Sequence, residues 1–166
     1  YSDIDDTKSL NYNLEAYKVA LQSKDDDLII TMLSILAEAY LNTGDHKNSI
    51  RYYRLCLDRL NKPEMNKMVS YAKHNLGNVY ADLGTYDTAM ILYKSALQFA
   101  KNQKQDEIIG LCYSSIANTY MNLKDHPNSL LAIDSAISVE IPRGSSYRLM
   151  YLYLSKSSFA NNQKDY

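Results

Sequence analysis

Asparagine side chains recur at a constant spacing and are the residues of this sequence best suited to bind a ligand. Asn78 and Asn118 lie forty positions apart, and Asn122 follows Asn118 by four. A carboxamide group both donates and accepts hydrogen bonds, so it can pair with the N–H and the C=O of a bound peptide unit. A row of such groups would hold an extended backbone while reading little of its sequence. The alternative is that they are ordinary solvated side chains on an open helix face.

The other reactive side chains form neither a catalytic nor a metal-binding pattern. His46, His74 and His126 fall in separate segments, and no carboxylate lies at metal-ligand spacing from them. Cys56 and Cys112 are too few for a disulfide framework or a four-cysteine zinc site, and we predict two buried thiols. The sequence contains no glycine-rich phosphate loop and no Ser-His-Asp order. We therefore expect no enzymatic activity, no metal and no cofactor.

Length and charge limit the remaining functions. The chain has 166 residues, which suits one domain, and only 5 Gly and 3 Pro, which leaves long helical segments uninterrupted. A net charge of −1 argues against nucleic-acid binding by this domain, because phosphate binding depends on basic residues. No apolar run approaches the ~20 residues of a membrane span, so we expect no membrane insertion. Because the chain begins at Tyr1 rather than Met, an upstream segment is expected to have been removed. The sequence is compatible with a cytoplasmic protein and with an extracytoplasmic sensor domain.

The elements that would position the asparagines recur every forty residues. Each copy has a first helix with an aliphatic residue, a small residue and a tyrosine, and a second helix with small and large apolar residues in alternation. The first-helix sets are Leu36, Ala37 and Tyr40; Leu76, Gly77 and Tyr80; and Ile116, Ala117 and Tyr120. The second-helix sets are Ser49, Tyr53, Cys56 and Leu57; Ala89, Tyr93, Ala96 and Leu97; and Ser129, Ile133, Ala136 and Ile137. Small residues are expected where two helices cross at ~8–10 Å.

This spacing resembles the tetratricopeptide repeat (TPR), a pair of antiparallel helices that stacks on neighbouring copies. The step of forty exceeds the usual step of about 34. The step of forty is similar to that of the longer repeats of kinesin light chain, of spindle-orientation scaffolds and of bacterial peptide-pheromone receptors. The abundance of aromatic, asparagine and lysine residues also resembles bacterial TPR regulators with an attached DNA-binding or kinase domain. The resemblance implies an all-α fold, a right-handed α-α superhelix of three full repeats with a half-repeat at each end.

The predicted organisation is a lead-in over residues 1–9 followed by one TPR domain over residues 10–166. A truncated repeat supplies a second-type helix at 10–22, because Tyr17, Ala20 and Leu21 have the spacing of Tyr93, Ala96 and Leu97. Asp25 to Asp27 are expected to cap the helix that follows. Full repeats are predicted at 30–60, 63–101 and 106–139, then a loop at 140–146 and a first-type helix at 146–161. In this fourth copy Lys156 stands where the others have an aliphatic residue, which predicts a one-residue shift.

The resemblance also implies which side chains face a ligand. In this family one stripe of the first helices lines a concave groove, and Asn78 and Asn118 best match the inner-face asparagines of the peptide-binding members. Lysine and arginine are missing from the positions that clamp a terminal carboxylate in the chaperone-tail-binding members, so a neutral or basic ligand is expected. The predicted ligand-binding residues are Glu38, Asn42, Tyr71, His74, Asn78, Asp82, Leu111, Ser114, Asn118, Met121 and Asn122.

The sequence thus predicts a module that binds a peptide or protein and serves as the sensing or docking part of a larger bacterial signalling or transcription regulator. The alternative is a structural module that dimerises through its terminal helices. It rests on the helix at 146–161, where Leu149, Leu152, Leu154 and Phe159 would lack the cover of a following helix.

Overall fold

The computed structural model describes residues 2–60 and 66–162, and the side chains of residues 8–60 and 68–159. Every regular element in these ranges is an α-helix, which confirms the predicted all-α class. The helices are α1 (Ser2–Ser23), α2 (Asp26–Asn42), α3 (His46–Arg59), α4 (Asn66–Asp82), α5 (Tyr86–Asn102), α6 (Asp106–Asn122), α7 (His126–Arg143) and α8 (Ser146–Asn162).

Two segments that were predicted to be non-helical are largely helical. Helix α1 begins at Ser2, so the predicted lead-in is helical from that residue onward. Helix α7 continues to Arg143, so most of the predicted loop at 140–146 is its last turn. Pro142 lies in the last turn of α7, where it cannot donate the backbone hydrogen bond to the carbonyl four residues earlier, and Gly144 ends the helix with a φ of 67°.

Tight turns connect the helices at described positions that differ by multiples of twenty residues. In each turn one residue has a left-handed backbone conformation, which favours glycine. These residues are Lys24, Gly44, Gly84, Lys104, Lys124 and Gly144, with φ between 53° and 77°. At residue 44 the chain also closes a hydrogen bond of 2.9 Å from the N–H of Asp45 to the carbonyl of Tyr40, and the turns at 84, 104 and 124 repeat it.

The turn spacing corrects the predicted alignment of α1. Lys24 is the structural counterpart of Lys104, eighty positions later. Ala20 therefore corresponds to Ala100, and both are buried, whereas the sequence spacing had paired Ala20 with Ala96. The error is one helical turn, which keeps the same helix face and hence a similar apolar pattern.

The predicted one-residue shift in α8 is also wrong. Leu152 and Phe159 are buried at the positions that Cys112 and Thr119 occupy forty residues earlier, so the register of the repeat is kept. Lys156 is exposed and forms an ion pair with Asp134 of α7.

The core is a series of adjoining clusters between successive helices. Each helix packs on the next one along the chain, and α4 also contacts α6 directly. Tyr53 and Tyr93 are buried within the second helices α3 and α5. Cys56 and Cys112 are buried free thiols, as predicted, and burial raises the pKa of Cys112 to about 12.

Side-chain capping fixes where several helices begin. The carboxylate of Asp25 accepts hydrogen bonds from the N–H groups of Asp27 and Leu28, which confirms the predicted cap of α2. Asp45 and Asp125 cap α3 and α7 in the same way. None of the described helices is both long and apolar enough to cross a membrane.

Candidate functional site

A pocket of about 260 Å³ opens between the first helices α4 and α6. Four of the predicted ligand-binding residues line it together: Asn78, Asp82, Asn118 and Asn122. They meet because α4 and α6 lie side by side, with positions 78 and 82 one turn apart on α4 and positions 118 and 122 one turn apart on α6. The remaining wall consists of Ala81, Tyr93, Ser115 and Thr119.

A second pocket, of about 190 Å³, lies at the equivalent place two repeats earlier, between α1 and α2. Glu38 and Asn42 line it, and they are the counterparts of Asn118 and Asn122 eighty positions later. Asn13 of α1 likewise takes the place of Tyr93. The other lining residues are Ser9, Ile35, Ala39 and Thr43. Six of the eleven predicted residues therefore line one or other of two equivalent pockets.

Tyr93 fixes the orientation of the Asn78 carboxamide. Its hydroxyl donates a hydrogen bond of 2.8 Å to Asn78 Oδ1. Burial, with a smaller contribution from the Asp82 carboxylate, raises the pKa of Tyr93, so the phenol stays protonated and remains a donor. Because the carbonyl of Asn78 is engaged in this way, its Nδ2 amino group is the part that can donate to a ligand.

Gly77 makes room for Tyr93 to reach the pocket. A Cβ atom at Gly77 would lie 2.6 Å from Cε1 of the Tyr93 ring. The equivalent positions in the other repeats carry alanine, at Ala37 and Ala117. The sequence predicted a small residue here for helix crossing, and the structure shows that the second repeat needs the smallest one.

His74 is buried, which corrects its prediction as a ligand contact. Its side chain is 5% exposed, with Nδ1 3.1 Å from Asn75 Oδ1 and Nε2 2.9 Å from Ser115 Oγ. Because the Asn75 Oδ1 atom can only accept, we assign the proton of the neutral ring to Nδ1, which makes the Ser115 hydroxyl the donor to Nε2. Burial lowers the pKa of His74 and favours this neutral form. His74 therefore joins α4 to α6 beneath the pocket.

The remaining four predicted residues lie outside both pockets. The Tyr71 hydroxyl is 3.4 Å from Glu107 Oε2 on α6, within donating distance. Ser114 donates to the backbone carbonyl of Gly110, which turns its hydroxyl back onto its own helix. Leu111 and Met121 are half-buried against core clusters, so they contribute more to packing than to an apolar ligand subsite.

Sequence reasoning missed the second helices as a source of pocket residues. Tyr93, which was expected only to pack, and Asn13, which was given no role, reach the pockets from α5 and α1. The glycine at position 77, where other copies have alanine, was the signal that could have identified Tyr93.

Acidic groups dominate the charge of these pockets. Glu38 and Asp82 contribute carboxylates, and neither pocket is lined by Lys or Arg. Among the described residues, no group of three or more His, Cys, Asp or Glu side chains is placed to hold a metal ion. The arrangement suits a ligand that offers backbone carbonyls and N–H groups or a positive charge.

Comparison with protein families gives two matches, both described as tetratricopeptide repeat. One covers residues 30–59 and the other covers residues 69–102. No curated protein matches the sequence significantly.

Solved structures with the same fold include proteins of quite different kinds. Aspartyl phosphate phosphatase F from Bacillus subtilis superposes with a TM-score of 0.85 at 14% identity, over 95% of this chain and 41% of that one. The TPR-like repeats of a kinesin light chain-type protein from Podosopora anserina give 0.70 at 12% identity, over 98% and 84%. A signal transduction ATPase with a tetratricopeptide repeat sensor from Pyrococcus horikoshii gives 0.60 at 15% identity, over 95% and 28%. The chain thus spans less than half of the phosphatase and of the ATPase.

Proposed function

Because the chain belongs to the tetratricopeptide repeat family, we propose that it is a binding module that holds an extended peptide or protein segment across the first helices α2, α4 and α6. One observation carries the proposal. Two equivalent pockets, two repeats apart, are lined by six polar side chains selected from the sequence for this role.

The mode of binding follows from the groups that each pocket presents. Asn78 would donate from Nδ2 to a backbone carbonyl, since its own carbonyl already accepts from Tyr93. Asp82 and Glu38 would accept from backbone N–H groups or pair with a lysine or arginine of the ligand. Asn118 and Asn122 are exposed and offer both donor and acceptor groups along the opposite wall. The ligand class is therefore an extended segment that is neutral or basic.

The wider role that we propose is the sensing or docking part of a larger regulator. In the Pyrococcus signal transduction ATPase a tetratricopeptide repeat serves as the sensor, and the present chain covers 28% of that protein. In this role the domain acts by binding alone, and catalysis belongs to other parts of the assembly.

Removing the two central asparagines tests the proposal. A ligand would first be selected from a peptide array, and its affinity would then be measured by isothermal titration calorimetry. Asn78→Ala combined with Asn118→Ala should weaken binding by about 2 kcal/mol, because two hydrogen bonds are lost. The matched control is Asn102→Ala, at the end of α5 and outside both pockets. Equal affinity for the double variant and the parent protein would refute the proposed binding mode.

A second candidate function, self-association through α8, is favoured by the apolar side chains that this helix exposes. Tyr147 is 77% exposed and Leu154 is 62% exposed, and Met150, Tyr151 and Tyr153 are exposed beside them. Leu152, expected on this surface, is 2% exposed and belongs to the core instead. If two copies pair through α8, light scattering after size-exclusion chromatography should show a dimer that Leu154→Asp converts to monomer. A monomer at all concentrations would exclude this function.

A further inference from the structure

A pocket of about 480 Å³ lies along α3, away from the pockets described above. We propose that it is a second binding site, which takes an acidic peptide segment through one apolar anchor side chain. Neither the family resemblance nor the inner-face residues assign any role to this surface.

Three cations line one side of this pocket. Lys47, Arg51 and Arg54 are spaced four and three residues apart, so they share one face of α3. No ion pair joins any of them to a carboxylate within the part of the chain that the structure describes. The Arg51 guanidinium lies 5.8 Å from the centre of the Tyr52 ring, a contact that leaves it without a carboxylate partner, and only the carboxylate of Asp58 opposes the three cations within the pocket.

Apolar side chains form the floor between these cations. Ile50 is half-buried, Leu55 is 38% exposed, and Tyr80 of α4 closes the pocket. The Arg54 guanidinium donates a hydrogen bond of 2.9 Å to the Tyr80 hydroxyl, which holds Arg54 against the apolar floor. An aliphatic or aromatic side chain could enter here while flanking carboxylates pair with the cations.

The repeat architecture does not require these cations. At the positions of Lys47, Arg51 and Arg54 the second repeat carries Asp87, Ile91 and Lys94, and the third carries Pro127, Leu131 and Asp134. Both of those repeats fold with the same helix pairs. The basic cluster is thus particular to α3, whereas a charge pattern needed for stacking would recur.

The two binding surfaces are separate on the molecule. Tyr80 borders the α3 pocket and Asn78 borders the α4–α6 pocket. Residues that are two positions apart on a helix are separated by about 200° around its axis, so these two side chains lie on opposite faces of α4. Their charges also differ, since Glu38 and Asp82 line the inner face while cations line the α3 pocket. A basic or neutral segment and an acidic segment could therefore bind at the same time.

A peptide fits this pocket better than a nucleic-acid backbone does. Phosphate binding relies on a dense basic surface, and this chain has a net charge of −1. Asp58 at one end of the pocket would repel a continuous row of phosphates, and the apolar floor would have no partner.

The test is fluorescence anisotropy on the whole chain with the labelled peptide Glu-Glu-Leu-Phe-Glu-Glu. Arg51→Glu combined with Arg54→Glu should weaken binding by about tenfold or more, because charge-assisted contacts become repulsive. Both side chains are exposed, so the variant is expected to fold, and its helix content is checked by circular dichroism. The matched control is Lys94→Glu, which makes the same change at the position of Arg54 on α5 and should leave the affinity within about twofold.

Further outcomes separate the α3 pocket from its alternatives. No loss in the double variant, or an equal loss in Lys94→Glu, would overturn the proposal. The peptide Glu-Glu-Ser-Ser-Glu-Glu should bind at least about tenfold more weakly, since it lacks the anchor, and equal binding would mean that charge alone attracts it. Asn78→Ala with Asn118→Ala should leave the affinity for the acidic peptide unchanged, and a loss would place this peptide on the inner face. Competition by single-stranded oligothymidylate at equal potency would make the pocket a phosphate site and refute the peptide assignment.

Discussion

At the scale of single residues, Gly77 and Tyr93 act as a pair that shapes the α4–α6 pocket. The absent side chain at position 77 lets the Tyr93 ring lie against the backbone of α4, and the hydroxyl then reaches Asn78. In the third repeat the equivalent pair is Ala117 and Ile133, where a smaller side chain on the second helix accompanies alanine on the first. The first repeat combines Ala37 with Tyr53, both buried, so the close contact at Gly77 reflects where the Tyr93 ring lies in the second repeat and not a size rule shared by all repeats.

This pairing predicts a strong coupling between two substitutions. Gly77→Ala alone should reduce the free energy of unfolding by about 1–3 kcal/mol, because the new methyl group overlaps the Tyr93 ring. In a Tyr93→Ile background the same change should be neutral or stabilising by up to about 1 kcal/mol, since alanine is the better helix former. Urea denaturation of the four proteins measures the coupling. Equal effects of Gly77→Ala in both backgrounds would show that the ring and the glycine are independent.

Individual pocket residues were predictable only in part. Asn78 and Asn118 were predictable from the repeat, because equivalent positions of successive first helices lie on the same helix face. His74 lies on the same sequence stripe but turns into the contact between α4 and α6, where Asn75 and Ser115 satisfy both of its nitrogens. The burial of His74 depends on α6, and a pattern of residues along α4 alone carries no information about that helix.

At the scale of the elements, left-handed residues mark the helix ends at positions 24, 44, 84, 104, 124 and 144 of the described chain. Glycine adopts this conformation without steric penalty, whereas an L-residue with a side chain is disfavoured by roughly 1 kcal/mol. Lys124, at a φ of 60°, stands where the first two repeats have Gly44 and Gly84. The third helix pair therefore folds through a less favourable turn than the first two.

Restoring glycine at this turn should stabilise the protein. Lys124→Gly is expected to increase the free energy of unfolding by about 1 kcal/mol and to raise the Tm. The control is Lys94→Gly, which puts glycine at an exposed position within α5 and should destabilise by about 1 kcal/mol. Differential scanning calorimetry of both variants measures the change in Tm, which should be positive for Lys124→Gly and negative for Lys94→Gly. A decrease in Tm for Lys124→Gly would contradict this account of the turns.

The end of α7 shows why element boundaries were harder to predict than element type. The run from Glu140 to Gly144 contains charged residues, proline and glycine, and such a composition is typical of a loop. In the structure Glu140 is buried, paired with Arg143 and Arg148 at 3.2 Å each, and seated against Gly110 of α6. Arg143 lies in the same run, but Arg148 lies in α8 and Gly110 in α6, so the local sequence does not indicate these two partners.

At the scale of the whole molecule, the core has no single centre. Its clusters join neighbouring helices only: Leu33 lies in the one formed by α1 to α4, and Leu152 in the one formed by α5 to α8. In such a stack each repeat is stabilised mainly by the repeats that adjoin it. The stacking of the repeats was predictable from the forty-residue step. Equivalent positions of successive repeats carry similar apolar residues, so each repeat can pack on the next in the same way.

This organisation predicts that damage to the core stays local. Leu152→Ala should destabilise its surroundings by about 2–5 kcal/mol and accelerate amide hydrogen exchange in α7 and α8, while α2 and α3 keep their protection because no shared cluster links them to Leu152. Leu33→Ala, an equally buried leucine in the opposite half, should give the reverse pattern. Hydrogen exchange with mass spectrometry resolves the two regions within one experiment. If either substitution accelerated exchange uniformly along the chain, the molecule would unfold as one cooperative unit, and the two binding surfaces would then be coupled through global stability rather than independent of each other.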